Sequence, residues 1–142
     1  MKGRKQIFLI FLLLLIIFTK QYVTSWNDGS RIAAIESLID YSSFAIDRTL
    51  FLETGDKYFY EGNFYSTKPP IFALLSSGVY FVINSLGFSF QSNYRATYYL
   101  LTLLVIGGSS CLGGVYFYKL LRRLKLLDYG LIFFYFWFSL AL

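Results

Sequence analysis

Twelve uninterrupted apolar residues, Ile7 to Phe18, follow a basic start at Lys2, Arg4 and Lys5. A second apolar run, Tyr98 to Leu121, leads into the basic cluster Lys119, Arg122, Arg123 and Lys125, and a third opens at Tyr129. About 20 apolar residues in a helix cover about 30 Å, the depth of a bilayer's hydrocarbon core. Short basic clusters beside such runs follow the positive-inside pattern. This alternation predicts an all-α integral membrane protein, a multi-span helical bundle. Composition agrees: only 15 % of residues are charged, against about 25 % in soluble domains. The net charge of +5 does not point to nucleic acid, because the basic residues flank apolar runs instead of forming one patch. A single cysteine, Cys111, inside an apolar segment excludes a disulfide framework. The absence of histidine removes the commonest acid/base side chain and metal ligand.

The first span is expected over residues 7–26. A basic start followed by an apolar run also fits a signal peptide, but Lys20, Gln21 and the later spans favour an uncleaved anchor. The N-terminus is then cytoplasmic and Trp26 lies at the outer interface. The outer loop, residues 27–97, opens polar: seven of the eight acidic residues lie between Lys20 and Lys68. Ile32, Ile35, Leu38 and Ile39 recur at helical spacing, with Arg31, Glu36, Ser37 and Asp40 on the other side. That spacing predicts an amphipathic helix over about 30–41, lying on the membrane surface. Aromatic runs on either side of Glu61-Gly62-Asn63 carry the signal of a small β-hairpin.

Residues 71–86 follow Pro69 and Pro70, the only prolines. They are apolar but short, and contain Ser76, Ser77, Gly78 and Asn84. If they crossed the membrane, the cluster at Lys119–Lys125 would fall outside; if they do not cross, it falls inside, as the charge rule requires. A re-entrant or interfacial helix is therefore expected here, leaving spans at about 7–26, 98–121 and 129–142. The "GGSSCLGG" stretch offers Ser109/Gly113 and Ser110/Gly114 for close helix packing. Because the last run stops at Leu142 without a polar flank, the chain is expected to be the N-terminal part of a longer protein, and inactive alone.

Three places carry candidate chemistry. In "WNDGSR", Asp28 and Arg31 are three residues apart and share a face if a helix starts there. Asp28 also reads as a helix cap, with Arg31 as a solvated neighbour. Lys68 stands before the two prolines, either as an anchor reaching for the headgroups or as a partner for a lipid phosphate. Tyr58, Phe59, Tyr60, Phe64 and Tyr65 suit an interfacial aromatic belt, with Tyr65 and Tyr60 as candidates to line a sugar or lipid groove. Asp47, Arg48, Asp56 and Lys57 read as solvated loop charges. Together Asp28, Arg31 and Lys68 supply a base for an acceptor hydroxyl and two cations for a phosphate leaving group.

The ordered series "NDGSRIAAIESLIDYSSFAIDRTLFLETGDKYFYEGNFYSTKPPIFALL" resembles the N-terminal region of GT-C glycosyltransferases. The likeness is to the protein O-mannosyltransferase and lipid A aminoarabinose transferase type, including the family 39 and RgtA/B/C/D-like proteins. It covers Trp26 to Leu75, and the remaining spans by pattern only. The resemblance implies a GT-C membrane fold with juxtamembrane helices in a structured outer loop. It implies a polyprenyl-phosphate-linked sugar donor, a lipid, glycan or protein acceptor, and inversion at the anomeric carbon. Asp28 matches the residue that activates the acceptor, and Arg31 and Lys68 match residues that bind the carrier phosphate. Where many relatives carry two adjacent acids, this chain has Asn27-Asp28, which weakens a divalent-metal role; no other cofactor is implied. The expected location is the cell (inner) membrane, with the active loop outside. A non-catalytic membrane scaffold, or a subunit of a lipid-glycan transport system, is the rival reading.

Overall fold

A computed structural model describes residues 12–124. The basic start, the last span at 129–142 and Lys125 lie outside the described residues. The chain divides into two compact units: Lys20–Val105, and a second made of Met1–Thr19 with Ile106–Leu142.

In the first unit the order is α1 (Trp26–Asp40), β1 (Lys57–Tyr60), β2 (Asn63–Ser66), α2 (Pro70–Ser85) and α3 (Phe90–Thr102). A π-helical segment, Leu103–Gly107, joins α3 to α4 (Gly108–Arg123), which belongs to the second unit. Residues 12–18 are helical.

The first helix stops at residue 18, short of the expected boundary at Trp26. Thr19 turns its hydroxyl back to the Leu15 carbonyl, the local bond by which such residues close helices. Val23 then gives its N–H to the Tyr94 hydroxyl at 2.9 Å, and Ser25 caps α1 in extended backbone. The apolar count alone ran the helix through this break.

The expected helix over 30–41 begins at Trp26 and is not a surface helix with one wet face. Gly29, Ser30, Ile32, Ala33, Ala34, Ile35, Glu36 and Ser37 are all buried. Glu36 and Ser37, read as the solvent side, are fully enclosed. The reason is the second set of small residues: Gly29, Ala33 and Ser37, spaced by four, let neighbouring segments approach the backbone from another side.

β1 and β2 form an antiparallel hairpin with Tyr58 opposite Tyr65 and Phe59 opposite Phe64. Glu61 and Gly62 make the two-residue turn with φ of 47° and 85°. Two positive φ values are the signature of the mirror-image turn whose twist matches the strands, and Gly62 adopts its value without a Cβ penalty.

α2 carries Pro70 at its first turn, where the missing N–H costs nothing. Its polarity is inverted relative to a helix of a water-soluble protein. Its inward face presents Ala73, Ser76, Ser77, Tyr80 and Ile83, and its outward face Ile71, Leu74, Leu75, Phe81 and Val82. At 16 residues, α2 is about 24 Å long, shorter than a bilayer core.

α3 starts eight residues before the expected Tyr98, because Ser89 and Ser92 form a reciprocal capping box. Among the described residues one helix is long and apolar enough to cross a membrane, Phe90–Leu121 with 32 residues. The core lies where α1, α2 and α3 meet, built from Ile32, Ile35, Tyr80, Ile83, Phe90, Tyr98 and Leu101. Phe90 packs on Tyr80 at 4.7 Å and receives the edge of Phe51 at 5.5 Å, geometries favoured by ring quadrupoles.

Candidate functional site

The first turn of α1 positions Asp28. The Ser25 hydroxyl accepts the Asp28 N–H at 3.2 Å and donates to the Asp28 carboxylate at 2.9 Å. Ser25 is therefore the cap, and Asp28 the third helical residue, half-exposed where the helix dipole favours negative charge. Because α1 begins at Trp26, Asp28 and Arg31 both lie within it, three residues apart. Arg31 is exposed, and its guanidinium carbon sits 5.7 Å from the centre of the Phe72 ring, a cation–π distance.

The "TGDK" stretch packs against this helix start. The Thr54 hydroxyl donates to the Trp26 carbonyl at 2.6 Å. Gly55 lies under the exposed Trp26 ring, so close that an added Cβ would stand 2.5 Å from it and the ring would have to move aside. The Asp56 carbonyl accepts the Ser30 hydroxyl at 2.6 Å and the Thr67 hydroxyl at 3.1 Å. Ser66 Oγ lies 2.7 Å from Ser30 Oγ and accepts the Lys68 N–H at 3.2 Å. A directed chain of hydrogen bonds thus runs from the Lys68 backbone through Ser66 and Ser30 to Asp56.

The Lys68 ammonium pairs with the Asp56 carboxylate at 2.8 Å. An ammonium has three donors, so one partner leaves capacity for a phosphate oxygen. The reading of Asp47, Asp56 and Lys57 as solvated charges is corrected here. The Asp47 carboxylate accepts the Phe64 N–H of β2 at 3.1 Å and 3.2 Å. Lys57 donates to the Leu52 carbonyl and lies over the Phe64 ring at 4.8 Å. Arg48 alone of the four is exposed without such a tie. These groups fasten the hairpin to the loop before it, and spacing along the chain gave no sign of that.

Tyr60 and Tyr65 share one face of the hairpin with Tyr58. Tyr58 and Tyr65 stack at 5.6 Å with planes 26° apart, while Tyr60 is exposed. Asp28 has Asn27 beside it, and no three metal-binding side chains cluster among the described residues.

Two acids of α1, read from the sequence as its solvent side, are instead held by partners. The Glu36 carboxylate accepts the Leu50 N–H at 3.1 Å and the Gln91 amide at 2.9 Å. One turn along α1, Asp40 accepts the Tyr80 hydroxyl at 2.8 Å and the Asn84 amide at 2.9 Å. Burial pushes the Glu36 carboxyl up to about 7 from 4.5, against the pull of its two hydrogen bonds and with Asp40 adding repulsion. Burial also raises Asp40, opposed by its bond from Tyr80. The alternation of small residues along α1 was the available signal that its acids would be enclosed.

A raised carboxyl pKa means that the folded chain holds the proton more tightly than the unfolded one. The stability from protonated Glu36 is then complete below pH 4.5 and lost as pH rises through about 7. Thermal unfolding of the wild type relative to Glu36→Gln, followed in detergent from pH 4 to pH 9, should show this. Glutamine copies the protonated shape, so the variant should gain stability over wild type as pH rises from about 4.5 to about 7, and the difference should level off above that. A pH-independent difference between the two proteins would refute the assignment.

Comparison with family models, with curated proteins and with solved structures gives no match.

Proposed function

We propose that this chain forms the N-terminal part of a membrane-bound glycosyltransferase of GT-C type. The protein moves a sugar from a polyprenyl-phosphate carrier to an acceptor hydroxyl at the outer face of the cell membrane. Asp28 takes the proton of the acceptor hydroxyl. The acceptor oxygen attacks the anomeric carbon, forming the new glycosidic bond with inversion. The bond from that carbon to the phosphate oxygen breaks, and the polyprenyl phosphate departs with the electron pair. Arg31 and Lys68 offset its charge. The acceptor is a lipid, glycan or protein.

The observation that carries this reading is the convergence of the two motif segments. Ser30, beside Arg31, bonds to the Asp56 carbonyl and meets Ser66, two residues before Lys68. Arg31 itself lies over Phe72, four residues past Lys68. Segments about 40 residues apart in sequence are therefore tied together at the start of α1, which supports a shared site for Asp28, Arg31 and Lys68. The apolar outward face of α2 supports lipid contact beside this cluster.

The test is to incubate the complete gene product with a panel of polyprenyl-phosphate sugars and follow loss of the sugar from its carrier. Turnover of one donor, with inversion at the transferred carbon, is the expected result. No turnover of any donor, with the protein folded in membranes, would favour the scaffold or transport-subunit reading.

A further inference from the structure

We infer that the C-terminal end of α4 binds the headgroup of an anionic phospholipid. An open groove there is bordered, among the described residues, by Tyr116, Lys119, Leu120 and Arg123. The four residues follow the i, i+3, i+4, i+7 pattern, so they occupy one helix face over two turns.

The charge at this end is one-sided. Lys119, Arg122, Arg123 and Lys125 fall within seven residues, and the sequence has no acid between Glu61 and Asp128. No carboxylate of the described residues pairs with Lys119 or Arg123; the one ion pair there joins Lys68 to Asp56. Lys119 and Arg123, one turn apart, repel each other until an anion sits between them.

The neighbours of these cations select a lipid over a free phosphate. The Lys119 ammonium lies 5.1 Å from the centre of the Tyr116 ring, which keeps it at the level of that ring. Tyr116 and Leu120 are themselves well exposed. Tyrosine rings settle at headgroup depth, and apolar surface next to paired cations suits a phosphate that carries acyl chains. Phe90–Leu121 is long and apolar enough to cross a membrane, and Lys119 and Arg123 stand at its end, where basic residues meet the headgroups. The inference rests on the membrane reading of this helix and is independent of sugar transfer.

The complete protein, in mixed micelles with equal phosphatidylglycerol and phosphatidylcholine, is examined by native mass spectrometry. Two interfacial cations contribute about 1 kcal/mol each, so phosphatidylglycerol should be retained roughly 30-fold over phosphatidylcholine. The double variant Lys119→Gln/Arg123→Gln should lose this preference. Lys20→Gln/Arg48→Gln, with the same net charge, should keep it. Added inorganic phosphate should not compete. A photoactivatable phosphatidylglycerol should label residues 116–123 of the unmodified protein, which decides the matter even if the double variant fails to fold. Equal retention of both lipids, loss of preference in the control variant, displacement by phosphate, or labelling elsewhere would each overturn the inference.

Discussion

Asp28→Asn is expected to lower sugar transfer by about 10²- to 10⁴-fold, the usual contribution of a general base, while the protein still inserts and folds. The substitution separates the two roles open to this residue. As a helix-start residue, Asp28 accepts a bond from Ser25 and favours the helix dipole. Asparagine keeps the acceptor and gives up only the dipole contribution, about 0.3–1 kcal/mol. As a base, Asp28 must take a proton from the acceptor, and an amide cannot. Ser25→Ala is the complementary variant. It removes the cap at a cost of about 1 kcal/mol but leaves the carboxylate, so transfer should persist. The readout is initial rate with the donor found active, alongside thermal unfolding in detergent. Transfer at the wild-type rate in Asp28→Asn would remove Asp28 as the base and leave it a structural residue.

Tyr80→Ala is expected to be the most destabilising single change in the Lys20–Val105 unit, by about 3–5 kcal/mol as for other large buried aromatics. Tyr80 is fully buried. Its ring packs at a tilt against Phe90, and its hydroxyl donates to Asp40 and accepts the Phe90 N–H at 3.3 Å. That N–H is the first of α3 and has no partner within its own helix. One side chain on α2 therefore ties α1 to α3. Tyr80→Phe keeps the ring and removes the hydroxyl, leaving the Phe90 N–H buried and unpaired, for a loss of about 1–3 kcal/mol. The order expected in denaturation of the membrane-extracted protein is wild type, then Tyr80→Phe, then Tyr80→Ala. Near-identical stability of Tyr80→Phe and wild type would mean that the α1–α2–α3 junction is held by apolar packing alone.

The elements most visible in the sequence were those set by local rules. The helix after Pro69-Pro70 and the Glu61-Gly62 turn follow from fixed proline φ and from backbone that only certain residues adopt. Boundaries set by polar partners, near or distant, were missed. The first helix ends at residue 18, and Val23 beyond it is held by Tyr94, more than 70 residues away. α3 opens at Phe90 through a pair of serines that an apolar count ignores. The enclosure of Glu36 was hidden for the same reason: its partners, Leu50 and Gln91, come from separate parts of the chain.

The candidate site divides along the same line. Asp28, Arg31 and Lys68 were legible as residue types in an ordered series, because acid/base and phosphate-holding chemistry requires few side chains. Their company was not. Asp56, expected to be solvated, holds Lys68, and Ser30, unremarked in the sequence, joins the helix start to the end of the hairpin. Apolar runs, prolines and turn residues act through the backbone of their own neighbourhood, so the helical character and the polar loop are legible from the residues alone. The tertiary structure alone decided which polar groups are enclosed and paired. A hydrogen bond between residues 26, 36 or 55 positions apart leaves no periodicity to read, and it exists only once packing has excluded water from both partners.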